Sequence, residues 1–351
     1  MSNALVNGLA GAGGGIIAQI ISYPLQTVNT RQQTERVAKT KRGGRSPPVA
    51  GGTLVQIFKV VRGEGWGGLY SGLKPSLLGT AASQVFKNKA EAIAIAHRNN
   101  GRGDGTVGMF SWLVVAAIAG SFNVLLTNPI WVLVTRMQTH TQAERKVIEA
   151  KREALLMEAS ESNFIGSTLQ DKLAQLDSTK PSPYGTLHAA REVYNEAGIT
   201  GFWKGIIPTL IMVCNPSIQF MIYESSLKHL RAKRSSNKQG INNVTALEVF
   251  LLGALAKLGA TMSTYPLLVV KSRLQAKQEI GGNMLRYSGT FDAIMKMIRF
   301  EGLSSFYKGM STKIVQSVFA ASVLFMVKEE LVKAFVVLAD KCQKFRLNIV
   351  K

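Results

Sequence analysis

Apolar residues along this chain gather in long runs separated by polar, mostly basic stretches. Three of the runs, roughly Leu5 to Gln32, Met109 to Gln138 and Leu247 to Gln275, end in one short pattern. It reads YPLQTVNTR (Tyr23 to Arg31), NPIWVLVTR (Asn128 to Arg136) and YPLLVVKSR (Tyr265 to Arg273), with a basic residue seven positions after the proline. As helices rising about 1.5 Å per residue, such runs are long enough to cross about 30 Å of hydrocarbon. A second block follows each run: GTLVQIFKVVRGEGWGGLYSG, GTLHAAREVYNEAGITGFWKG and GTFDAIMKMIRFEGLSSFYKG. Within it the spacing is fixed. Thr53, Thr186 and Thr290 each lie 12 residues before Gly65, Gly198 and Gly302, and 19 before Gly72, Gly205 and Gly309. Each block predicts a short amphipathic helix after Gly-Thr, and a second apolar helix begins at its last glycine.

Two linked motifs in three copies with no internal gap mark an internal repeat. The expected fold is an all-α membrane protein. Six transmembrane helices form three tandem two-helix repeats with short amphipathic loop helices, arranged as a pseudo-threefold barrel. Repeat 1 covers residues 1–100, repeat 2 residues 106–233, repeat 3 residues 244–338, and a tail covers 339–351. Pro24, Pro129 and Pro266 each remove a helix hydrogen bond and bend the helix, which would gather the odd-numbered helices at one end of a central cavity. Gly11, Gly15, Gly120, Gly253 and Gly259 would let neighbouring backbones approach.

The copies are unequal. Pro129 to Gly205 is 76 residues, against 48 for Pro24 to Gly72 and 43 for Pro266 to Gly309. The excess, about 140–182, reads as a solvated, poorly ordered insertion, in which Gln142 to Ala159 has helix-forming composition. The second helix of repeat 1 is expected to be truncated. Its apolar run from Pro75 to Phe86 is 12 residues, about 18 Å as a helix. Residues lost through a variant transcript or gene-model error just after Gln84, or a short helix in its own right, both fit.

Charge narrows the chemistry. There are 42 Lys and Arg against 21 Asp and Glu, a net +21, which points to an anionic partner. No soluble basic domain suited to nucleic acid is present, and no phosphate-binding Walker pattern. Cys214 and Cys342 form no metal spacing, and the histidines at 97, 140, 188 and 229 match no triad or metal site. No catalytic residue and no metal ligand is expected, so an enzyme is disfavoured. The N-terminus has no basic region before its apolar stretch, and the C-terminus carries no peroxisomal or retention tripeptide.

The proline motifs, the Glu301-Gly302 pair and the endings Phe202-Trp203-Lys204-Gly205 and Phe306-Tyr307-Lys308-Gly309 resemble the mitochondrial carrier family over nearly the whole chain. Pro129-Ile130-Trp131 is similar to the branch that carries nucleotide-containing cofactors. The resemblance implies an alternating-access exchanger, monomeric in the bilayer, with small anionic nucleotides as cargo: NAD, AMP, ADP or CoA. No bound cofactor is implied. It favours the peroxisomal membrane over the mitochondrial inner membrane. A mitochondrial carrier of folate, FAD or pyrimidine nucleotides is the alternative, and a non-transporting membrane scaffold is a rival from another class.

In the family, residues two and five after each proline pair across repeats and lock an inner gate. Here Gln26, Trp131 and Leu268 hold the acidic positions, and Asn29, Val134 and Lys271 the basic ones. Three ion pairs cannot form, so a weak inner gate is expected. The outer gate begins with Tyr223-Glu224, but Leu227 stands where a base belongs, with Lys228 one place late, and Lys328 replaces the third repeat's acid.

Family geometry also places substrate contacts at Gly79, at Met212 with Val213, and at Gln316, with Asn215 one turn further; ordinary packing is the alternative for Met212 and Val213. Lys257 stands out without the family. It lies inside an apolar run nine residues before Pro266, where Gly15 and Gly120 are its counterparts. A lysine there is costly unless it faces water or a partner. Gln19 and Thr261, each five residues before a proline, would share its face toward the cavity.

Overall fold

The computed structural model describes residues 3–35, 52–83, 109–162, 184–236, 245–277 and 286–324, with a few isolated positions beyond them. All regular structure among the described residues is helical. Repeat 1 supplies α1 (Asn3–Thr34), α2 (Thr53–Glu64), the single turn α3 (Trp66–Leu69) and α4 (73–83). Repeat 2 supplies α5 (Met109–Ser162), α6 (Thr186–Ala197), α7 (Ile206–Met212) and α8 (Asn215–Ser236). Repeat 3 supplies α9 (Ala246–Gln275), α10 (Thr290–Phe300) and α11 (310–324).

Local sequence explains the boundaries. Helix α9 opens on a capping box, in which Thr245 accepts from the Glu248 N–H and the Glu248 carboxylate accepts from the Thr245 N–H. The loop helices α2 and α6 stop where Gly65 and Gly198 adopt φ of 72° and 61°, and Gly302 just past α10 has φ 84°. Helices α1, α5 and α9 run through their prolines without a break. The second apolar segment of repeat 2 does break. Val213 and Cys214 form a turn between α7 and α8, and Pro216 sits in the first turn of α8, where its missing N–H costs nothing. The shortfall expected after Gln84 lies outside the described residues, as do Lys328 and Cys342.

Contacts pass around the repeats in one direction and close on themselves. Gly72, Gly205 and Gly309 have φ of 81°, 73° and 78°. Each lies against the first helix of the following repeat. A Cβ on Gly72 would stand 3.2 Å from the Val134 carbonyl, on Gly205 3.3 Å from the Lys271 carbonyl, and on Gly309 3.0 Å from Asn29 Oδ1. Repeat 1 thus meets 2, 2 meets 3, and 3 meets 1. Tyr23 donates to the Ser71 carbonyl at 3.0 Å and Tyr265 to the Lys308 carbonyl at 2.7 Å. Asn128, in the equivalent place, donates to the Phe202 carbonyl at 2.9 Å. These residues precede the prolines and tie each first helix to the turn that opens the second.

Burial runs opposite to that of a water-soluble core. Arg136 and Arg273 head the fully buried side chains by volume, while Phe122, Phe250, Leu255, Val318 and Met326 are exposed. Large apolar faces turned outward suit lipid rather than water. Two helical stretches among the described residues, Ala117–Met157 and Ile199–Lys233, are long and apolar enough to cross a bilayer.

The insertion in repeat 2 corrects an expectation. Instead of a poorly ordered loop, residues 140–162 continue α5 as helix. Its first turns are packed: Ala143 is buried, and Gln142 donates to the Arg31 carbonyl at 3.4 Å. The Arg145 guanidinium lies over Gly63 and 4.0 Å from Glu64. His140 stacks on Tyr184 with ring centroids 3.5 Å apart. The Arg145–Glu64 contact to α2, the Gln142 bond to α1 and the stack on Tyr184 just before α6 supply what an isolated polar helix lacks.

Gly309→Ala is expected to destabilise the purified protein by about 1–3 kcal/mol, through the positive φ and the clash with Asn29 and Gln32. Gly253→Ala, with nothing within 4 Å of the added methyl, should be near neutral. Thermal unfolding in detergent tests this; equal midpoints for the two variants would refute it.

Candidate functional site

Beyond their prolines the three first helices meet. Every polar contact between α1, α5 and α9 among the described residues involves positions at or after the residue that precedes the proline. The arginines seven residues after Pro24, Pro129 and Pro266 organise this end. Arg31 grips Glu64 with two bonds of 2.8 Å. Arg136 pairs with Glu196, and Arg273 with Glu301, whose second oxygen accepts from Arg273 Nη2 at 3.0 Å. Each pair joins a first helix to the end of its own loop helix. The Nε of each guanidinium reaches the next repeat, while Nη1 of Arg136 is buried without a hydrogen-bond partner among the described residues. Nε of Arg31 donates to the Gln138 carbonyl at 2.9 Å, that of Arg136 to the Gln275 carbonyl at 3.0 Å, and that of Arg273 to the Gln33 carbonyl at 3.0 Å.

The result is a closed ring of three buried clasps. The glutamines reinforce it: Ser272 donates to Gln33 Oε1 at 2.7 Å, and Thr135 to Gln275 Oε1 at 3.1 Å. Planar, forked guanidinium groups suit this double duty, because one face of donors serves a carboxylate and Nε is left for a carbonyl. Burial alone would raise the Glu301 carboxyl, but the hydrogen bond and charge of Arg273, then Lys308, hold it below the ordinary carboxylate value. Burial likewise opposes ionisation of Glu196, and the Arg136 charge with hydrogen bonds from Lys204 and Arg136 overcomes it.

This ring lies next to the positions expected to form an inner gate. The positions expected to carry it do not pair with one another among the described residues. The Gln26 carbonyl accepts from Thr30, and Asn29 Oδ1 accepts from Gln33 at 3.3 Å. Trp131 lies 3.5 Å from where Gly79 would carry a Cβ, and Val134 is buried. The contacts that hold this end come from the residues seven positions past each proline. Those arginines were visible in the sequence; their partners were not. Tyr223 and Glu224 are half-buried on α8, beside buried Leu227.

The residues expected at the substrate separate into two groups. Gly79 packs on Ile130 and Trp131, a Gly120 Cβ would lie 2.7 Å from Val213, and Asn215 donates to Thr264 at 2.7 Å. Gln19 donates to Ser76 at 2.6 Å, and Thr261 to the Lys257 carbonyl at 2.8 Å. These side chains join helices or their own backbone. Met212 is half-buried at the end of α7. The second group is charged. Lys257 is exposed on α9, Lys271 is half-buried on the same helix, and Lys313 is half-buried on α11. Lys313 donates to Gln316 at 3.2 Å. Lys313 was not singled out in the sequence; its position four residues after Gly309 was the available signal. No cluster of metal-binding side chains occurs among the described residues.

The sequence pattern of the family described as "Mitochondrial carrier protein" matches residues 1–88, 169–234 and 242–337. The "Peroxisomal nicotinamide adenine dinucleotide carrier" of Arabidopsis thaliana is 61% identical over 95% of this chain and 96% of its own length. "Folate transporter 1, chloroplastic" of the same plant is 29% identical, over 93% and 94%. "Peroxisomal membrane protein PMP34" of Mus musculus is 28% identical, over 94% and 93%.

The clasps set a pH dependence. Carboxylates held below their ordinary value stabilise the fold fully above about pH 5 and lose that contribution as the pH falls through the lowered value. Thermal stability should therefore drop on acidification below about pH 4.5. Glu301→Gln, which leaves Arg273 buried without its counter-ion, should cost about 3 kcal/mol at neutral pH and flatten the acid limb. An unchanged limb would show that the clasp does not titrate with folding.

Proposed function

Because the chain belongs to the mitochondrial carrier family, we propose that it exchanges NAD and related adenine nucleotides across the peroxisomal membrane by alternating access. The observation that carries this reading is a closed ring of arginine clasps that joins the three repeats at one end. A ring that seals one end of a helical bundle is the gate an exchanger needs, and a net charge of +21 suits an anionic cargo. The 61% identity to a peroxisomal NAD carrier supports the cargo and the membrane, and the likeness to the mouse peroxisomal protein supports the membrane.

In this proposal the two helices of each repeat span the bilayer: α1, α5 up to the ring and α9 as the first helices, and the helices that begin at α4, α7 and α11 as the second. The loop helices lie at the ring side. NAD is cargo and not a bound cofactor, and one chain suffices for the cycle. Cargo binding offsets the loss of clasp contacts as the ring opens and the repeats rock against each other. Gln26, Asn29 and Trp131, packed close to the ring, adjust as it opens. Met212 at the α7–α8 break offers an apolar surface to a base.

The full-length protein, reconstituted into liposomes preloaded with NAD or AMP, should take up labelled NAD far faster than empty liposomes do. CoA, ATP, folate and FAD in the same assay rank the cargoes. No uptake with any internal solute would sink the carrier reading in favour of a membrane scaffold.

A further inference from the structure

The three clasps are alike in their arginines and unlike in the second cation on each carboxylate. Lys204 Nζ lies 2.7 Å from Glu196 Oε1, and Lys308 Nζ lies 3.3 Å from Glu301 Oε2. Each lysine stands immediately before the glycine that opens its second helix, Gly205 or Gly309. Repeat 1 has Ser71 in that place, before Gly72, and the Ser71 hydroxyl donates to the Met137 carbonyl at 2.7 Å. Repeat 1 therefore lacks the lysine that the other two repeats set on their own glutamates. Glu64 receives its second cation from the following repeat instead: Arg145 Nη2, on the α5 extension, lies 4.0 Å from Glu64 Oε1.

The extension is built to bring that group across. Arg31 Nε donates to the Gln138 carbonyl, and one turn later Gln142 donates back to the Arg31 carbonyl at 3.4 Å. Ala143 is buried beside it. Arg145 then crosses the last turn of α2 at Gly63, where a Cβ would stand 2.3 Å from Nη2. The residues two before Gly198 and Gly302, in the place of Gly63, are Glu196 and Phe300. Repeat 1 alone has no side chain there, and its loop helix is the one that α5 covers. Helices α1 and α9 end at Thr34 and Gln275 and have no such extension. A missing lysine, a missing side chain and an extended neighbour thus coincide at one clasp.

We propose that the first turns of the α5 extension are a strap over clasp 1, and that Arg145 supplies from repeat 2 the second cation that repeats 2 and 3 carry within themselves. Arg145 is a positioning residue: it acts through Glu64, and Glu64 through Arg31. Its side chain is 41% exposed, so the ion pair by itself contributes little. The Gln142 bond and the packing of Ala143 add to it, and all three are lost together when α2 moves away from α5. The strap lies beyond the ring on α5, so it weighs on the opening of that end and not on recognition of the cargo. Its effect on opening rests on the carrier reading; the contact with clasp 1 does not.

The test uses the full-length protein in neutral detergent, with amide hydrogen exchange followed in segments 53–64 and 139–150. R145Q should exchange roughly threefold faster in both segments, as expected for losing one half-exposed ion pair. R145K, which keeps the charge, should retain most of the protection. S71K added to R145Q should return 53–64 to its unaltered rate and leave 139–150 fast, because the new lysine restores the charge at Glu64 without tying down α5. K151Q, which alters an exposed lysine further along the same helix, should match the unaltered protein. Equal exchange at 53–64 in the unaltered and R145Q proteins would overturn the proposal, and so would R145K behaving as R145Q does. Recovery of both segments by S71K would overturn the strap as well. In liposomes loaded with NAD, R145Q should raise the maximal rate of labelled NAD uptake roughly threefold at unchanged apparent KM; a changed KM at unchanged maximal rate would count against the strap. The two readings fail separately. NAD exchange with Arg145 indifferent in both measurements removes the strap and leaves the carrier. Arg145-dependent protection of 53–64 in a protein that exchanges no solute removes the carrier and leaves the strap.

Discussion

The contact on which the rest depends is the guanidinium that holds a carboxylate of its own repeat and a main-chain carbonyl of the next. Arg31, Arg136 and Arg273 do this in turn, and the third returns to the first at the Gln33 carbonyl. A buried ion pair by itself is weak evidence for stability, because desolvation offsets most of its Coulomb gain. Here its value is directional. The carboxylate fixes the guanidinium plane, and the fixed plane aims Nε at one carbonyl and no other. Closure in a ring follows from three copies of that geometry, and a side-chain change at one clasp is felt at both neighbours.

Glycine and proline make that geometry reachable. The prolines lie seven residues before the arginines, and the polar contacts between the first helices run from the residue before each proline to the arginine level and just past it. Gly72, Gly205 and Gly309 let the start of each second helix approach the first helix of the following repeat to a distance that a Cβ would block. Tyr23, Asn128 and Tyr265, beside the prolines, fix the turn that contains each glycine. Stacking of Tyr23 on Tyr70 and of Tyr265 on Tyr307 repeats the arrangement in two copies, with centroids 6.2 Å and 6.3 Å apart. The second copy uses Asn128 with Trp203 nearby instead, and Trp203 Nε1 donates to the Leu125 carbonyl at 3.0 Å. Departures from symmetry collect in repeats 2 and 3. Repeat 2 breaks its second helix at Val213–Cys214 and extends α5 over α2. Repeat 3 carries the lysines. A ring of three like clasps can therefore hold repeats that differ elsewhere.

Much of this was legible in the linear pattern. Apolar runs of span length, the proline-to-arginine interval and the Gly-Thr blocks predict α1, α9, the start of α5 and the loop helices within a few residues, because they are local consequences of hydrophobic patterning and of positive-φ glycine. Lys257 was legible too, since a charge inside an apolar run is conspicuous. Lys313 was not, because it lies in the mixed stretch Met310-Ser311-Thr312-Lys313, where a lysine has no anomalous context. The insertion at 140–182 misled for a related reason. Its composition suits a solvated helix, and only the α2 surface and Tyr184 give its first turns something to pack against.

The sequence by itself determined three copies of one unit, a membrane setting and a basic character, since each depends on spacing and composition within short stretches. The tertiary structure decided which groups meet. Arg31 and the Gln138 carbonyl are 107 residues apart, and Arg273 and the Gln33 carbonyl are 240 apart. No local rule specifies such pairs. They form because each arginine, already fixed by the glutamate of its own repeat, has Nε left to satisfy, and the carbonyl within reach belongs to the next repeat.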